Sequence, residues 1–240
     1  MEERHLLANA IAKASEPWRH RLIIPNYKIA GAAKYADVTV QTVAHWHSNE
    51  KTNRSKLSAR AVRAELSYMQ LIEVAVVSSF RKAGVTLSRI YEAREYIKSQ
   101  LRSEYPFAQY KFKSDGKHIL MDYEQFDPKS GKGKLLVANQ GGQLAWSEIL
   151  DRLQQFEYEK DGIALLWHIG GRESQITIDP RVSFGAPAIK GVATWAIGGR
   201  WSAGDDVAEI AADFGLPRSA VIAALKFEGV SERSGSVWAN

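Results

Sequence analysis

The chain has 240 residues, 45% of them apolar and 25% charged, with a formal net charge of +5 and no cysteine. That is enough chain to bury a sizeable core in one or two domains. Without cysteine there is no disulfide framework, thiolate metal site or thiol nucleophile, which suits a reducing cytoplasm, and no apolar run approaches a membrane span.

Charge is divided unevenly along the sequence. Residues 1–113 hold 19 Lys and Arg against 10 Asp and Glu, a net +9, whereas residues 114–240 hold 13 against 17, a net −4. The first half is suited to a polyanion and the second is not.

Residues 1–24 read as an N-terminal arm: a short helix with Leu6, Leu7, Ala10 and Ile11 at helical spacing, then a basic connection, Trp18-Arg19-His20-Arg21. Pro17 and Pro25 bracket that connection and disfavour helix within it. Residues 25–104 read as one helical domain. It opens on Tyr27–Trp46, two short helices around a tight turn. Ile29, Ala30, Ala33 and Ala36 are expected to face inward on the first. Thr39 is the expected N-cap of the second, which buries Val43 and Trp46 and turns Gln41, Thr42 and His45 outward. A short helix offering polar side chains from its first turns has the geometry of a major-groove reader. His45 and His47 stand two apart, on different sides of a helix, so no metal site is expected there.

Tyr27, Ile29, Ala33, Val38, Thr39, Thr42, Val43 and Trp46 lie on an outline that resembles the helix-turn-helix of the MerR family. The resemblance implies double-stranded operator DNA as a partner. It departs at Ala44, where the family usually carries Arg. The polar run HSNEKTNRSKLSARAVR follows, with Lys51, Arg54, Lys56, Arg60 and Arg63. The resemblance makes this run a wing, with Lys51, Arg54 and Lys56 on phosphates, which fix register on a duplex.

Ser67 to Gln70 has the pattern of a capping box, opening a long helix whose stripe is Leu71, Ile72, Ala75, Val76 and Phe80 and which Gly84 ends. Thr86 is the expected cap of a further helix with Ile90, Ala93, Ile97 and Leu101 inward. This helix, Thr86 to Leu101, is the candidate face for a homodimer, because operators read by such units are usually pseudo-palindromes. RKAGVTLSRIYEAREY also resembles the MerR continuation.

Residues 105–173 read as a small α+β connecting region. FAQYKF and HILMDY predict a β-hairpin with Asp115-Gly116 in its turn. A second turn at DPKSGKGK leads into the strand KLLVA. Leu144 to Phe156 has helical spacing, and GIALLWHI reads as a buried strand. Asp122 and Glu124 share a strand face near Asp127, but no further group completes a metal or catalytic site. Gly131-Lys-Gly-Lys134 lacks the spacing and the following helix of a phosphate loop. No hydrolase, metalloprotease or dinucleotide fingerprint occurs, so neither an enzyme nor a bound cofactor is expected.

Residues 174–230 form a C-terminal module that is helix-turn-helix-like in its second half. There Val207, Ile210 and Ala211 face inward, Gly215 makes the turn, and Pro217 opens a helix burying Val221, Ala224 and Leu225. Ile176, Asp179, Pro180, Gly185, Pro187, Ile189, Gly191 and the helices from Asp206 to Phe227 make the module resemble a small bacterial antitoxin domain whose genes often neighbour PIN-like ribonuclease toxins. That family usually continues Gly-Thr-Arg where this chain has Gly191-Val192-Ala193. Residues 231–240 are a polar tail in which Trp238 is a candidate anchor and Arg233 a candidate partner for an acidic nuclease site.

The expected fold is therefore α+β and mostly helical, with a reader in front and the module behind, a layout that resembles the longer VapB-type antitoxins. That resemblance implies a PIN-like toxin as a second partner and repression of the protein's own operon. A stand-alone MerR-like regulator with a sensor region in residues 105–230 is the alternative.

Overall fold

In the computed structural model, residues 16–47, 57, 65–114, 119–122, 134–138, 143–146, 151–152, 155–159 and 162–230 are described. The chain divides into two units, Met1–Leu165 and Leu166–Asn240, and the fold is α+β, as the sequence implied. Among the described residues no helix is long and apolar enough to cross a membrane.

The first unit begins with a 3-10 helix, Pro17–Leu22, that buries Leu22. This corrects the expectation that the two prolines disfavour helix here: Pro17 sits at the first position, where its missing N–H costs nothing. Two short helices follow, α1 (Ile29–Ala36) and α2 (Val40–Trp46). On α1 the buried residues are Ala32, Ala33 and Ala36, whereas Ala30, expected to face inward, is exposed. In a run of alanines the methyls are alike, and only the partner helix decides which are covered.

Helix α3 (Tyr68–Lys82) is the centre of this unit. Ser67 accepts the Gln70 N–H and Gln70 Oε1 accepts the Ser67 N–H, so the predicted capping box is made in full. Gly84, at φ 93°, closes the far end, with Val85 N–H bonding back to Phe80 O at 3.0 Å. Twelve of its fifteen residues are buried, so it is a core helix rather than an amphipathic one with a single apolar stripe. Helix α4 (Leu87–Leu101) buries Ile90, Ala93, Arg94 and Ile97, while Leu101 is half-buried and Thr86 makes no side-chain capping bond.

Among the described residues, two charged side chains lie in this core. Glu73 on α3 is 0% exposed and Arg94 on α4 is 1% exposed. The guanidinium donates from Nε to Glu73 Oε1 at 3.4 Å and from Nη2 to Oε2 at 3.3 Å, and Nη2 also reaches the Glu104 carbonyl at 2.8 Å. Tyr68, also fully buried, donates its hydroxyl to Leu165 O at 2.7 Å. Phe80, Phe107 and Phe112 pack edge to face, with ring centroids 5.3–6.2 Å apart. Phe107 lies on a helical turn, α5 (Pro106–Gln109), that replaces the start of the predicted strand FAQYKF.

Strands β1 (Phe112–Ser114), β2 (Ile119–Asp122), β3 (Lys134–Val137), β4 (Gln143–Trp146) and β5 (Asp151–Arg152) make an antiparallel sheet in the order β4-β3-β2-β1-β5. The predicted hairpin pairs Phe112 with Met121 and Ser114 with Ile119, and its turn lies outside the described residues. So does the DPKSGKGK loop up to Lys134, and so do Glu124 and Asp127. The helix expected over Leu144–Phe156 is not formed. Leu144 and Trp146 instead pair with Leu136 and Lys134, Asp151 and Arg152 form β5, and β6 (Phe156–Tyr158) begins at Phe156. Sheet pairing outweighs the helical period in this segment. Gly162, at φ 88°, is required: a Cβ there would stand 2.5 Å from Gln109 O.

Strand β7 (Ala164–His168) spans the division between the units. In the second unit its residues Trp167 and His168 pair with Ile178 and Thr177 of β8 (Ile176–Ile178). β8 pairs with β9 (Ala188–Ile189), and β9 pairs with β10 (Val192–Ala193) across the Lys190-Gly191 turn. Both turn residues have positive φ, 48° and 87°, which matches the turn to the twist of its strands. Helices α6 (Thr194–Ala203), α7 (Val207–Phe214) and α8 (Arg218–Glu228) follow. Val207, Ile210, Ala211, Val221, Ala224 and Leu225 are buried as the periodicity predicts. Asp206 caps α7 by accepting the N–H groups of Ala208 and Glu209, and Glu209 returns a bond to the Asp206 N–H.

Replacing Arg94 by Met should cost about 3–5 kcal/mol in urea unfolding, because it strands a buried carboxylate. The double change Glu73→Leu with Arg94→Met should recover most of that loss. The hydrogen bonds from the Glu209 and Ala208 N–H groups hold the Asp206 carboxyl below its usual range. Its contribution is therefore present above the unfolded value, about 4, and is lost as pH falls through the folded one. Asp206→Ala should lower Tm at neutral pH, and the difference from wild type should shrink in acid.

Candidate nucleic-acid interface

The turn between α1 and α2 sets the geometry of the outward face of α2. Asp37 takes the left-handed conformation (φ 53°, ψ 55°), and Val38 N–H bonds back to Ala33 O at 3.0 Å. An Asp tolerates this conformation better than a branched residue would. Two residues of α3, one turn apart, hold the turn from below. Ser78 Oγ donates to Ala36 O at 2.7 Å, satisfying a helix-end carbonyl, and Lys82 Nζ donates to Asp37 Oδ2 at 2.9 Å. The Lys82 hydrogen bond keeps the Asp37 carboxyl below its ordinary range.

Thr39 then starts α2 as the sequence predicts. Its Oγ1 accepts the Thr42 N–H at 3.1 Å and lies 2.8 Å from Thr42 Oγ1. Thr39 and Thr42 therefore engage each other at the helix start as well as facing outward. Val43 and Trp46 are buried, Gln41 and His45 are exposed, and Thr42 is half-buried. Val40, at 46% exposed, adds an apolar side chain to the same surface. The first turn of α2 thus presents amide, hydroxyl and methyl groups, the kinds of group that read base edges.

Gln41, Thr42 and His45 come together along an open groove of about 490 Å³, lined also by Trp46, Arg81 and Leu87. Arg81 was not singled out from the sequence. It belongs to the last turn of α3, where a basic residue is expected simply to complement the helix dipole. Lys51, Arg54 and Lys56, and likewise Arg233 and Trp238, lie outside the described residues.

In the second unit, Arg181 forks onto the buried Asp179 carboxylate, with Nη2 to Oδ2 at 2.6 Å and Nε to Oδ1 at 2.9 Å. The Arg181 N–H donates to the same carboxylate at 2.8 Å, so the start of the loop after β8 is clamped locally. On the helices, Arg218 and Lys226 are exposed, as are Glu209 and Asp213, which would repel phosphate. Among the described residues no cluster of three or more His, Asp or Glu could hold a metal ion.

Residues 176–227 match the model of a family described as “Protein of unknown function (DUF433)”. The chain is 24% identical over 220 residues to a protein of Mycobacterium tuberculosis strain H37Rv named “Putative antitoxin VapB45”, a match that covers 82% of this chain and 90% of that protein. Its fold is similar to the crystal structure of Rv2018 from Mycobacterium tuberculosis, with a TM-score of 0.58 and 21% identity, covering 85% of this chain and 99% of that one. The resemblance to a VapB-type antitoxin that the sequence motifs carry extends in this way over most of the chain's length.

Proposed function

We propose that this protein is the antitoxin of a type II toxin–antitoxin pair, neutralising a PIN-like ribonuclease toxin and binding double-stranded operator DNA to repress its own operon. The observation that carries the reading is the similarity, over most of both chains, to a mycobacterial protein named as an antitoxin. In this reading residues 25–104 are the DNA-binding domain, and α1 and α2 form a MerR-like helix-turn-helix. Thr39, Gln41, Thr42 and His45 face base edges, and Lys51, Arg54 and Lys56 contact phosphates. The outward polar first turn of α2 and the basic balance of residues 1–113 support this assignment. Helix α4 supplies a homodimer face, which a pseudo-palindromic operator would require.

Residues 105–173 connect this domain to the toxin-binding module, residues 174–230, with Arg233 and Trp238 of the tail as anchors. A ribonuclease that grips RNA presents cationic surface, to which the net −4 of residues 114–240 is complementary. Neutralisation by binding needs no catalytic residue, metal or cofactor from this chain, and both partners belong to the cytoplasm.

Gln41→Ala should cost about 1–3 kcal/mol on the preferred duplex and little on random DNA, measured by fluorescence anisotropy. An equal loss on both would remove Gln41 from base reading. The full chain, co-expressed with the nuclease encoded beside it, should co-purify with that nuclease and suppress its RNA cleavage, and Trp238→Ala should weaken both effects. A full chain that binds its operator yet leaves the nuclease active would make the protein a stand-alone regulator.

A further inference from the structure

We propose that Arg81 is the phosphate anchor of the reading face, gripping the backbone of the same duplex whose base edges Gln41, Thr42 and His45 meet. The inference rests on the DNA-binding reading above and adds to it a residue from outside the reading helix. Arg81 comes from the last turn of α3, the core helix, yet its side chain lines the groove that runs beside α2. Its Nη1 donates to Val85 O at 2.7 Å, so the side chain is already held and loses little further freedom on binding. The rest of its planar fork meets no acceptor among the described residues, and the residue is exposed.

Three other cations of the first unit are placed differently. Lys82 is taken by Asp37, Arg94 by Glu73, and Arg19 by Glu16 and Glu159. Among the described residues lining the groove there is no carboxylate to compete with an anion for the Arg81 fork. Trp46, buried, and Leu87, half-buried, give the groove an apolar side, which strengthens a charge-assisted bond made against it. A guanidinium fixed on one edge and open on the other matches the two oxygens of a phosphodiester. The groove is open and continuous with the polar face of α2, which fits a passing backbone better than an enclosed small anion.

The test uses the full chain, a duplex it selects from a randomised pool, and a random duplex of equal length. Binding is followed across 50–200 mM salt. Arg81→Gln should reduce the slope of log K against log salt by about one unit and weaken both duplexes by a similar factor. Gln41→Ala should weaken only the selected duplex. Arg81→Lys keeps the charge and should restore most of the slope, which a merely structural role at the end of α3 would not produce. An unchanged slope in Arg81→Gln, alongside the selective loss in Gln41→Ala, would place Arg81 away from the phosphates and leave the DNA reading intact. If the wild-type chain enriches no duplex, the anchor and the DNA reading fall together.

Discussion

The described helices of the first unit are arranged around one that has almost no exposed side, and that helix carries a carboxylate. Glu73 is tolerable there only because Arg94 meets it with two nitrogens and hands the remaining demand to the Glu104 carbonyl. Isolating either charge would cost far more than the pair contributes, so the two helices cannot shift relative to one another without a large penalty. The pair therefore acts less as a source of stability than as a register pin between α3 and α4. The apolar residues around it supply the driving force, each worth about 1.5–3 kcal/mol when fully buried.

The same pinned helix determines where α2 stands. Ser78 and Lys82 lie on the edge of α3 that meets the α1–α2 turn, one on a backbone carbonyl and one on a side-chain carboxylate. Between them they fix the end of α1 and, through Val38 and Thr39, the start of α2. A short helix of seven residues has little stability of its own. Its polar face is positioned by the core beneath it, and Arg81 leaves the same helix three residues beyond Ser78.

Local signals were legible in the sequence, and long-range ones were not. The Ser67–Gln70 box, the Thr39 cap, the Gly84 and Gly215 stops and the inward residues of the two C-terminal helices follow from spacing within a few residues. The Glu73–Arg94 pair could not be read, since a carboxylate among apolar residues gives no indication of the cation that will cover it 21 positions later. Arg81 was hidden in the same way, because its importance depends on the proximity of α2. The segment over 144–156 was misread for a related reason: its amphipathic period is real, but the edge of β3 supplies partners that periodicity cannot see.

This contrast also accounts for how the two units differ. In the first, decisive bonds join residues far apart in sequence: Arg19 to Glu159, Tyr68 to Leu165, Ser78 to Ala36. In the second, Asp179 is clamped by Arg181 two residues away, Asp206 by Glu209, and Arg200 by Asp205 and Asp213. Thr194 and Glu228 tie the start of α6 to the end of α8, the longest reach in this group. Closing short loops costs little entropy, so a segment built this way specifies its fold from nearby residues. A pattern set by nearby residues is also what a family model can recognise. The match over residues 176–227 falls on the part of the chain whose structure is written locally.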